Sequence, residues 1–200
     1  HALGVLRIVM EQRLGVPLSA LVKAAFGAVG GKAKDATPAL LDFIYDRLRG
    51  VLRDQGYTAN EVESVIAQRP DRLDRLSDQL AAVRAFMALP EAESLAAANK
   101  RVANILRKAE ESKTDIAPLV RENLLTDAAE KSLFVAMQAT IPAAQNALVS
   151  GNFSENLKAF AALKSPVDAF FTDVMVMAED VSVRANRLAL LRDLRTAMNQ

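Results

Sequence analysis

The sequence contains no cysteine and no tryptophan, and its single histidine is His1. The lack of cysteine excludes disulfide bonds and thiolate metal sites within these residues, and it is compatible with a reducing compartment. With one histidine, no histidine-based catalytic site or histidine metal cluster can be assembled. Carboxylate pairs such as Glu110 and Glu111 fall on stretches where a solvated helix face explains them. The sequence therefore predicts that this chain performs no covalent chemistry itself.

The chain also has little net charge, because 25 lysines and arginines are balanced by 24 acidic residues to give +1. Any attraction to nucleic acid must therefore come from local patches. Residues 132–154 contain no charged side chain. Gln138, Pro142 and Asn146 within that segment are costly in a membrane-spanning helix. We therefore expect a buried helix, packed on all sides, rather than a membrane span.

Hydrophobic periodicity predicts helices throughout, and no strand-like alternation is present, so the predicted fold is all-α. Capping-box spacings at Thr58 with Glu61 and at Asp127 with Glu130 predict two helix starts. The composition of residues 30–35 (GGKAKD) predicts the most flexible stretch of the first half. They suggest a domain boundary, with residues 1–35 as the tail helices of a preceding domain and residues 36–200 as one helical bundle.

The most clearly amphipathic stretch covers residues 89–112. At about 100° per residue, one side of this predicted helix is apolar. The opposite side carries Lys100, Arg101, Asn104, Arg107 and Lys108. A cationic stripe of this kind is expected where a helix meets phosphate, and Asn104 could read a base or hold a sugar. An ordinary solvated helix face explains the same pattern.

Arg187 projects into the apolar arc of the last predicted helix. A guanidinium in that position needs a partner, because an unpaired buried charge is strongly destabilising. Candidate partners nearby in sequence are Asp168, Asp173, Glu179 and Asp180. Two interpretations stay open: a buried Arg–Asp pair that ties the last two helices together, or contact with nucleic acid.

Several strings resemble the β subunit of bacterial heterotetrameric glycyl-tRNA synthetase. Its C-terminal region is similar to ANKRVANILRK (98–108), SPVDAFFTDVMVMAED (165–180) and VRANRLALLRDLR (183–195). Segments that precede this region in the same subunit are similar to ALGVLRIVME (2–11) and DFIYDRLRGVLRDQGY (42–57). The resemblance covers essentially the whole chain in the right order, so we expect a C-terminal fragment of that subunit.

The resemblance implies an all-helical anticodon-binding bundle of the type found in arginyl- and glycyl-tRNA synthetases. It implies recognition of the anticodon arm of glycine tRNA within a cytoplasmic glycine–tRNA ligase, with no catalytic residue and no metal in this fragment. The ATP, magnesium and glycine chemistry would belong to the separate α subunit. The implied partners are glycine tRNA, the α subunit and the rest of the β subunit, and not DNA or a membrane.

The resemblance favours the RNA interpretation of the cationic stripe. The candidate tRNA-binding residues are Lys100, Arg101, Asn104, Arg107, Lys108, Arg47, Arg49 and Arg187. The first alternative is a helical protein-interaction module that docks other parts of the synthetase without reading RNA directly. A helical enzyme domain is a weaker alternative, because it would need a polar pocket that the sequence does not disclose.

Overall fold

The computed structural model describes residues 2–29 and 36–199, with side chains from Gly4 onward in the first helix. All regular structure in these residues is helical, which confirms the all-α prediction. The predicted boundary loop at residues 30–35 lies outside the described residues. The α-helices are α1 (Ala2–Glu11), α2 (Leu18–Ala28), α3 (Thr37–Asp54), α4 (Ala59–Ile66), α5 (Leu76–Met87), α6 (Ala92–Glu111), α7 (Ala128–Val149), α8 (Phe153–Ala161), α9 (Lys164–Asp173) and α10 (Val181–Met198). Short 3-10 helices lie at Leu73–Arg75 and Glu122–Leu124.

The chain divides into two compact units, residues 1–84 and residues 85–200. This division differs from the expected boundary between residues 35 and 36. The physical reason is that α3 and α4 bury Leu48, Leu52 and Ile66 in the same apolar core as Leu6 and Leu18. Residues 36–84 therefore belong to the same packed unit as the preceding helices.

Both predicted capping boxes form. In the first unit the Thr58 N–H donates to Glu61 Oε2 at 2.7 Å, and the Glu61 N–H donates to Thr58 Oγ1 at 3.3 Å. In the second unit the Asp127 N–H donates to Glu130 Oε2 at 2.8 Å. These bonds satisfy amide groups that would otherwise have no partner at the first turn of α4 and α7.

The second unit is built around α10, whose residues 186–191 are all buried. Helix α6 packs against α9 and α10, and α7 packs against α8 and α9. The side-chain amides of Asn99 and Asn199 bond to each other at one end of the α6–α10 pair. Ala117, just beyond α6, bonds to the Ala185 carbonyl at the other end, so the two helices are antiparallel. This arrangement turns one side of α6 into the core and leaves the other side exposed.

The expectation that residues 132–154 form a helix packed on all sides was wrong. Helix α7 is not packed on all sides, because Val135 is 63% exposed and Val149 is 85% exposed. The apolar run after α9 does not continue the helix, which ends at Asp173. In this non-helical segment the side chains alternate, with Val174 and Val176 buried and Met175 and Met177 facing solvent. The two methionines therefore do not fill the core.

Candidate nucleic-acid interface

Helix α6 presents the predicted cationic side to solvent. Its opposite side is buried through Leu95, Ala98, Val102, Leu106 and Ala109. The five candidate residues on this helix are all exposed: Lys100, Arg101, Asn104, Arg107 and Lys108. Their position on the accessible side agrees with the predicted interface, and their role in binding stays a prediction.

Three of these side chains form a row along the helix axis. Lys100, Asn104 and Lys108 follow one another at intervals of four residues, so they lie within an arc of about 80° and span roughly 12 Å. None of the three makes a side-chain hydrogen bond or ion pair with residues 2–29 or 36–199. The row therefore offers two uncompensated ammonium groups and one free amide to solvent.

Arg107 differs from its neighbours because a carboxylate already cancels part of its charge. Its Nη1 atom lies 2.6 Å from Glu111 Oε1, one helical turn further along. Both side chains are more than half exposed, so water screens this pair strongly and it adds little to stability. Arg107 can therefore exchange Glu111 for another anion, but with less net attraction than Lys100 or Lys108.

Arg101 lies over an aromatic ring rather than beside a carboxylate. Its Cζ atom is 4.3 Å from the centroid of the Phe171 ring on α9. Phe171 in turn meets the fully buried Phe170 edge to face, with ring centroids 5.5 Å apart and an interplanar angle of 84°. The guanidinium is thus held at the α6–α9 contact while its charge stays unpaired.

Polar contacts beside this face tie α6 to its neighbours. Ser94 Oγ donates to Asp168 at 2.8 Å, and Lys164 Nζ donates to the same carboxylate at 2.7 Å. The bond from Lys164, and then the bond from Ser94, lower the pKa of Asp168 below its ordinary value. The Asp168 carboxylate correspondingly raises the pKa of Lys164. Lys164 is therefore a cation with an internal partner, unlike the row on α6.

Arg187 is not part of the exposed surface, so the structure favours the buried ion pair over contact with RNA for this residue. Only 7% of its side chain is accessible. Its Nε donates to the fully buried Glu130, and Nη2 donates to Asp127 at 2.5 Å and to Thr126 at 3.1 Å. Its Nη1 donates to the Met175 carbonyl at 2.7 Å. The guanidinium thus fastens the first turn of α7 to α10 and to the extended segment after α9.

Arg187 does form a buried ion pair, but its partners are Glu130 and Asp127 rather than the four nearby acidic residues expected from the sequence. The carboxylates come from the capping box of α7, so Glu130 serves both its own helix start and the guanidinium. The sequence predicts the capping box at Asp127 and a partner for Arg187 separately. It contains no indication that Glu130 and Arg187 bond to each other.

Arg47 and Arg49 lie on α3, in the first unit. The Arg47 guanidinium lies 4.9 Å from the centroid of the Phe43 ring. Arg49 is half-buried and bonds to Glu63 at 2.7 Å and to Asp46 at 2.9 Å. The Glu63 bond is the largest of the contributions that raise the pKa of Arg49. The charge of Arg49 is therefore largely cancelled inside its own unit.

Phe171 is the residue at this surface that sequence reasoning missed. One signal could have identified it, since adjacent side chains at positions 170 and 171 of a helix cannot share one face. Phe170 is fully buried, so Phe171 had to lie toward the border of the apolar face, beside a neighbouring helix.

No helix among residues 2–29 and 36–199 combines the length and the apolar character needed to cross a membrane. Over the same residues, no group of three or more acidic, histidine or cysteine side chains is placed to hold a metal ion.

Comparison with known proteins identifies two matching family models. Residues 95–200 match the model described as DALR anticodon binding domain, and residues 1–67 match the model described as glycyl-tRNA synthetase beta subunit. The chain is 52% identical over 200 residues to the glycine–tRNA ligase beta subunit of Polaromonas naphthalenivorans. It is 54% identical over 203 residues to the same subunit of Dechloromonas aromatica. Each alignment covers 100% of this chain and 28% of the relative.

Proposed function

Since the chain belongs to the family of DALR anticodon binding domains, we propose that it binds the anticodon arm of glycine tRNA through the exposed side of α6. The family match covers just over half of the chain and includes α7 to α10 and all but the first turn of α6. The curated relatives are glycine–tRNA ligase beta subunits, of which this chain spans 28%. The proposed role is therefore that of the tRNA-recognition part of a larger ligase.

The single observation that supports this role best is the row of unpartnered polar side chains on α6. Lys100 and Lys108 keep their full charge because no described carboxylate bonds to them. RNA phosphates attract such cations and release counterions on binding, which makes the affinity depend on salt. Loops of RNA also expose unstacked bases, whose edges the free amide of Asn104 can contact.

In this proposal, the aminoacylation chemistry takes place outside this chain. ATP, magnesium and glycine would bind the separate α subunit, and the remainder of the β subunit would connect the two activities. The residues of this chain would supply affinity and orientation for the tRNA in the cytoplasm. This division is supported by the relatives of the chain, which are beta subunits of the ligase.

A direct test is a titration of the 200-residue chain with glycine tRNA and with the same tRNA carrying a swapped anticodon, at several salt concentrations. We expect weak, salt-dependent binding that favours the native anticodon. The variant Lys100→Glu should bind about tenfold more weakly without a change in its thermal unfolding, because it removes one phosphate contact and adds a repulsion. Unaltered affinity in Lys100→Glu and Lys108→Glu would refute the α6 interface, and equal binding of both tRNAs would refute anticodon readout.

A second candidate function, docking to another part of the synthetase, is favoured by the exposed side of α7. From Ser132 to Ser150 that helix offers solvent only uncharged side chains, Val135 and Val149 among them. A surface without charge suits contact with protein better than contact with RNA phosphate. In the whole synthetase, Ala139→Lys should then weaken subunit assembly and leave anticodon-arm affinity unchanged, as measured by sedimentation and by tRNA titration. Intact assembly in that variant would count against docking through this side.

A further inference from the structure

The contact between Arg101 and Phe171 has features that a simple phosphate-binding arginine does not need. The guanidinium lies over the aromatic ring at 4.3 Å, and no described carboxylate bonds to it. Phe171 is half-buried, whereas the Arg101 side chain is exposed. The ring therefore supports the guanidinium from the side of α9, and the guanidinium remains open on the side that faces solvent.

This arrangement is fixed before any ligand binds. Phe171 is held by its edge-to-face contact with Phe170, which is 0% exposed. The bond from Ser94 to Asp168 fastens α6 to α9 about two turns before Arg101. A side chain that is ordered in the free protein loses less conformational entropy on binding than a mobile surface arginine does.

The surroundings of Arg101 match the requirements of an unstacked nucleobase. Lys100, the preceding residue, provides a cation for a neighbouring phosphate. Asn104, nearly one turn further, provides an amide that can bond to a base edge. Guanidinium planes and aromatic rings are the two protein groups on which splayed-out RNA bases stack, and a guanidinium over a ring combines both.

We propose that Arg101, supported by Phe171, is a stacking platform for one unpaired base of the anticodon loop. This inference rests on the proposed binding of the anticodon arm by α6, and it assigns Arg101 a planar contact rather than a charge contact. Phe171 is a positioning residue, because it acts by holding the guanidinium. The proposal therefore brings α9 into the RNA-binding surface, although α9 carries no unpaired cation among its described residues.

Two substitutions separate the platform from simple charge attraction. Arg101→Lys keeps the positive charge and removes the plane, so we expect about five- to tenfold weaker binding of an RNA hairpin that carries the glycine anticodon arm. Phe171→Leu keeps the apolar volume and every charge but removes the ring, and we expect a similar loss. Lys100→Gln is the matched control, because it should lower the dependence on salt, which the other two variants should leave unchanged.

The decisive readout uses a set of hairpins in which each anticodon-loop nucleotide in turn lacks its base. At one loop position, removing the base should weaken binding to the unmodified chain but not to Arg101→Lys or Phe171→Leu, because the stacking partner is already lost. Wild-type affinity of Arg101→Lys for the intact hairpin would overturn the platform. So would an equal loss on every abasic hairpin. If the unmodified chain bound no hairpin at any salt concentration, the proposed function itself would fail and the platform with it.

Discussion

Helices α3 and α6 are alike in pattern and different in what their cations touch. Each helix buries an apolar side, through Ile44, Leu48 and Leu52 on α3 and through the buried stripe described above on α6. Each also turns basic side chains toward solvent. On α3, Arg49 is bonded to two carboxylates, whereas Lys100 and Lys108 on α6 have no carboxylate partner among the described residues.

The comparison extends to the two units as a whole. In the first unit the arginines that make ion pairs are Arg13, Arg49, Arg69, Arg72 and Arg84. Most of these pairs are between exposed side chains and are worth little individually. Cationic residues on a helix face therefore do not by themselves indicate a ligand. What distinguishes α6 is that Lys100 and Lys108 have no carboxylate partner among the described residues and lie in one row with Asn104.

The largest expected effect is a loss of stability at Arg187, whose guanidinium bonds to four other residues of the second unit. Arg187→Met would leave the fully buried Glu130 without its guanidinium, so we expect the free energy of unfolding to fall by about 3–5 kcal/mol. Urea denaturation followed by circular dichroism measures this change. Arg195→Met is the control, because Arg195 is exposed on the same helix and should change stability by less than about 0.5 kcal/mol. Equal effects of the two substitutions would contradict the structural role of Arg187.

One substitution on α6 and one on α3 test whether an uncompensated cation contributes more to RNA binding than a paired one. Lys108→Glu should weaken anticodon-arm binding about tenfold, because it reverses an uncompensated charge. Arg49→Gln should change that affinity by less than about twofold, because Asp46 and Glu63 already cancel the charge it removes. Fluorescence anisotropy with a labelled hairpin measures both. A greater loss in Arg49→Gln than in Lys108→Glu would reverse the assignment of the two helices.

The ion pairs of the first unit also predict a dependence of stability on pH. Bonds from Arg84 and from the Thr58 N–H lower the pKa of Glu61 from 4.5 to about 2. Because the folded pKa lies below the unfolded one, the stabilisation is fully present above pH 4.5 and is lost as the pH falls toward 2.

Glu61→Gln should therefore lower the melting temperature of the first unit at pH 7 and have little effect near pH 2. Thermal unfolding of both proteins across this range measures the difference. Asp54→Asn is a control in the same unit, since Asp54 is exposed and makes no ion pair among the described residues. If Glu61→Gln lowered the melting temperature by the same amount at pH 7 and at pH 2, the charge of Glu61 would not be stabilising the fold.

The smallest expected effect concerns Glu111, which forms an ion pair with Arg107 on the α6 face. Glu111→Gln should free Arg107 and raise anticodon-arm affinity by about two- to threefold, with a slightly steeper dependence on salt. Glu110→Gln, at an exposed position without an ion pair, controls for the general loss of one negative charge. Identical gains in both variants would mean that the Arg107–Glu111 bond does not limit binding.

Local chemistry allowed much of this molecule to be predicted from its sequence. The capping boxes at Thr58 and Asp127 and the inward and outward sides of α6 follow from interactions within a few residues. Contacts over longer distances could not be predicted in the same way. The carboxylates of Arg187 lie 57 and 60 positions away, and the ring under Arg101 belongs to a separate helix.

Segments without charge were the hardest to interpret. The absence of charged residues from position 132 to the end of α7 suggested complete burial, but small and amide side chains on its exposed side tolerate water equally well. Similarly, the run Val174-Met175-Val176-Met177 has the same composition whether it is helical or extended. In the folded protein the segment is not helical, and Arg187 Nη1 donates a hydrogen bond to the Met175 carbonyl, a contact that depends on tertiary structure.

The salt dependence of anticodon-arm binding tests the central claim most directly. The measurement is the slope of the logarithm of the association constant against the logarithm of the salt concentration. In the double variant Lys100→Gln/Lys108→Gln, the magnitude of this slope should be smaller by roughly 1.5 than in the unmodified chain. The same double variant should unfold at an unchanged temperature, since neither lysine has a partner among the described residues. An unchanged slope would contradict the account, because the two lysines would then not be neutralising phosphates.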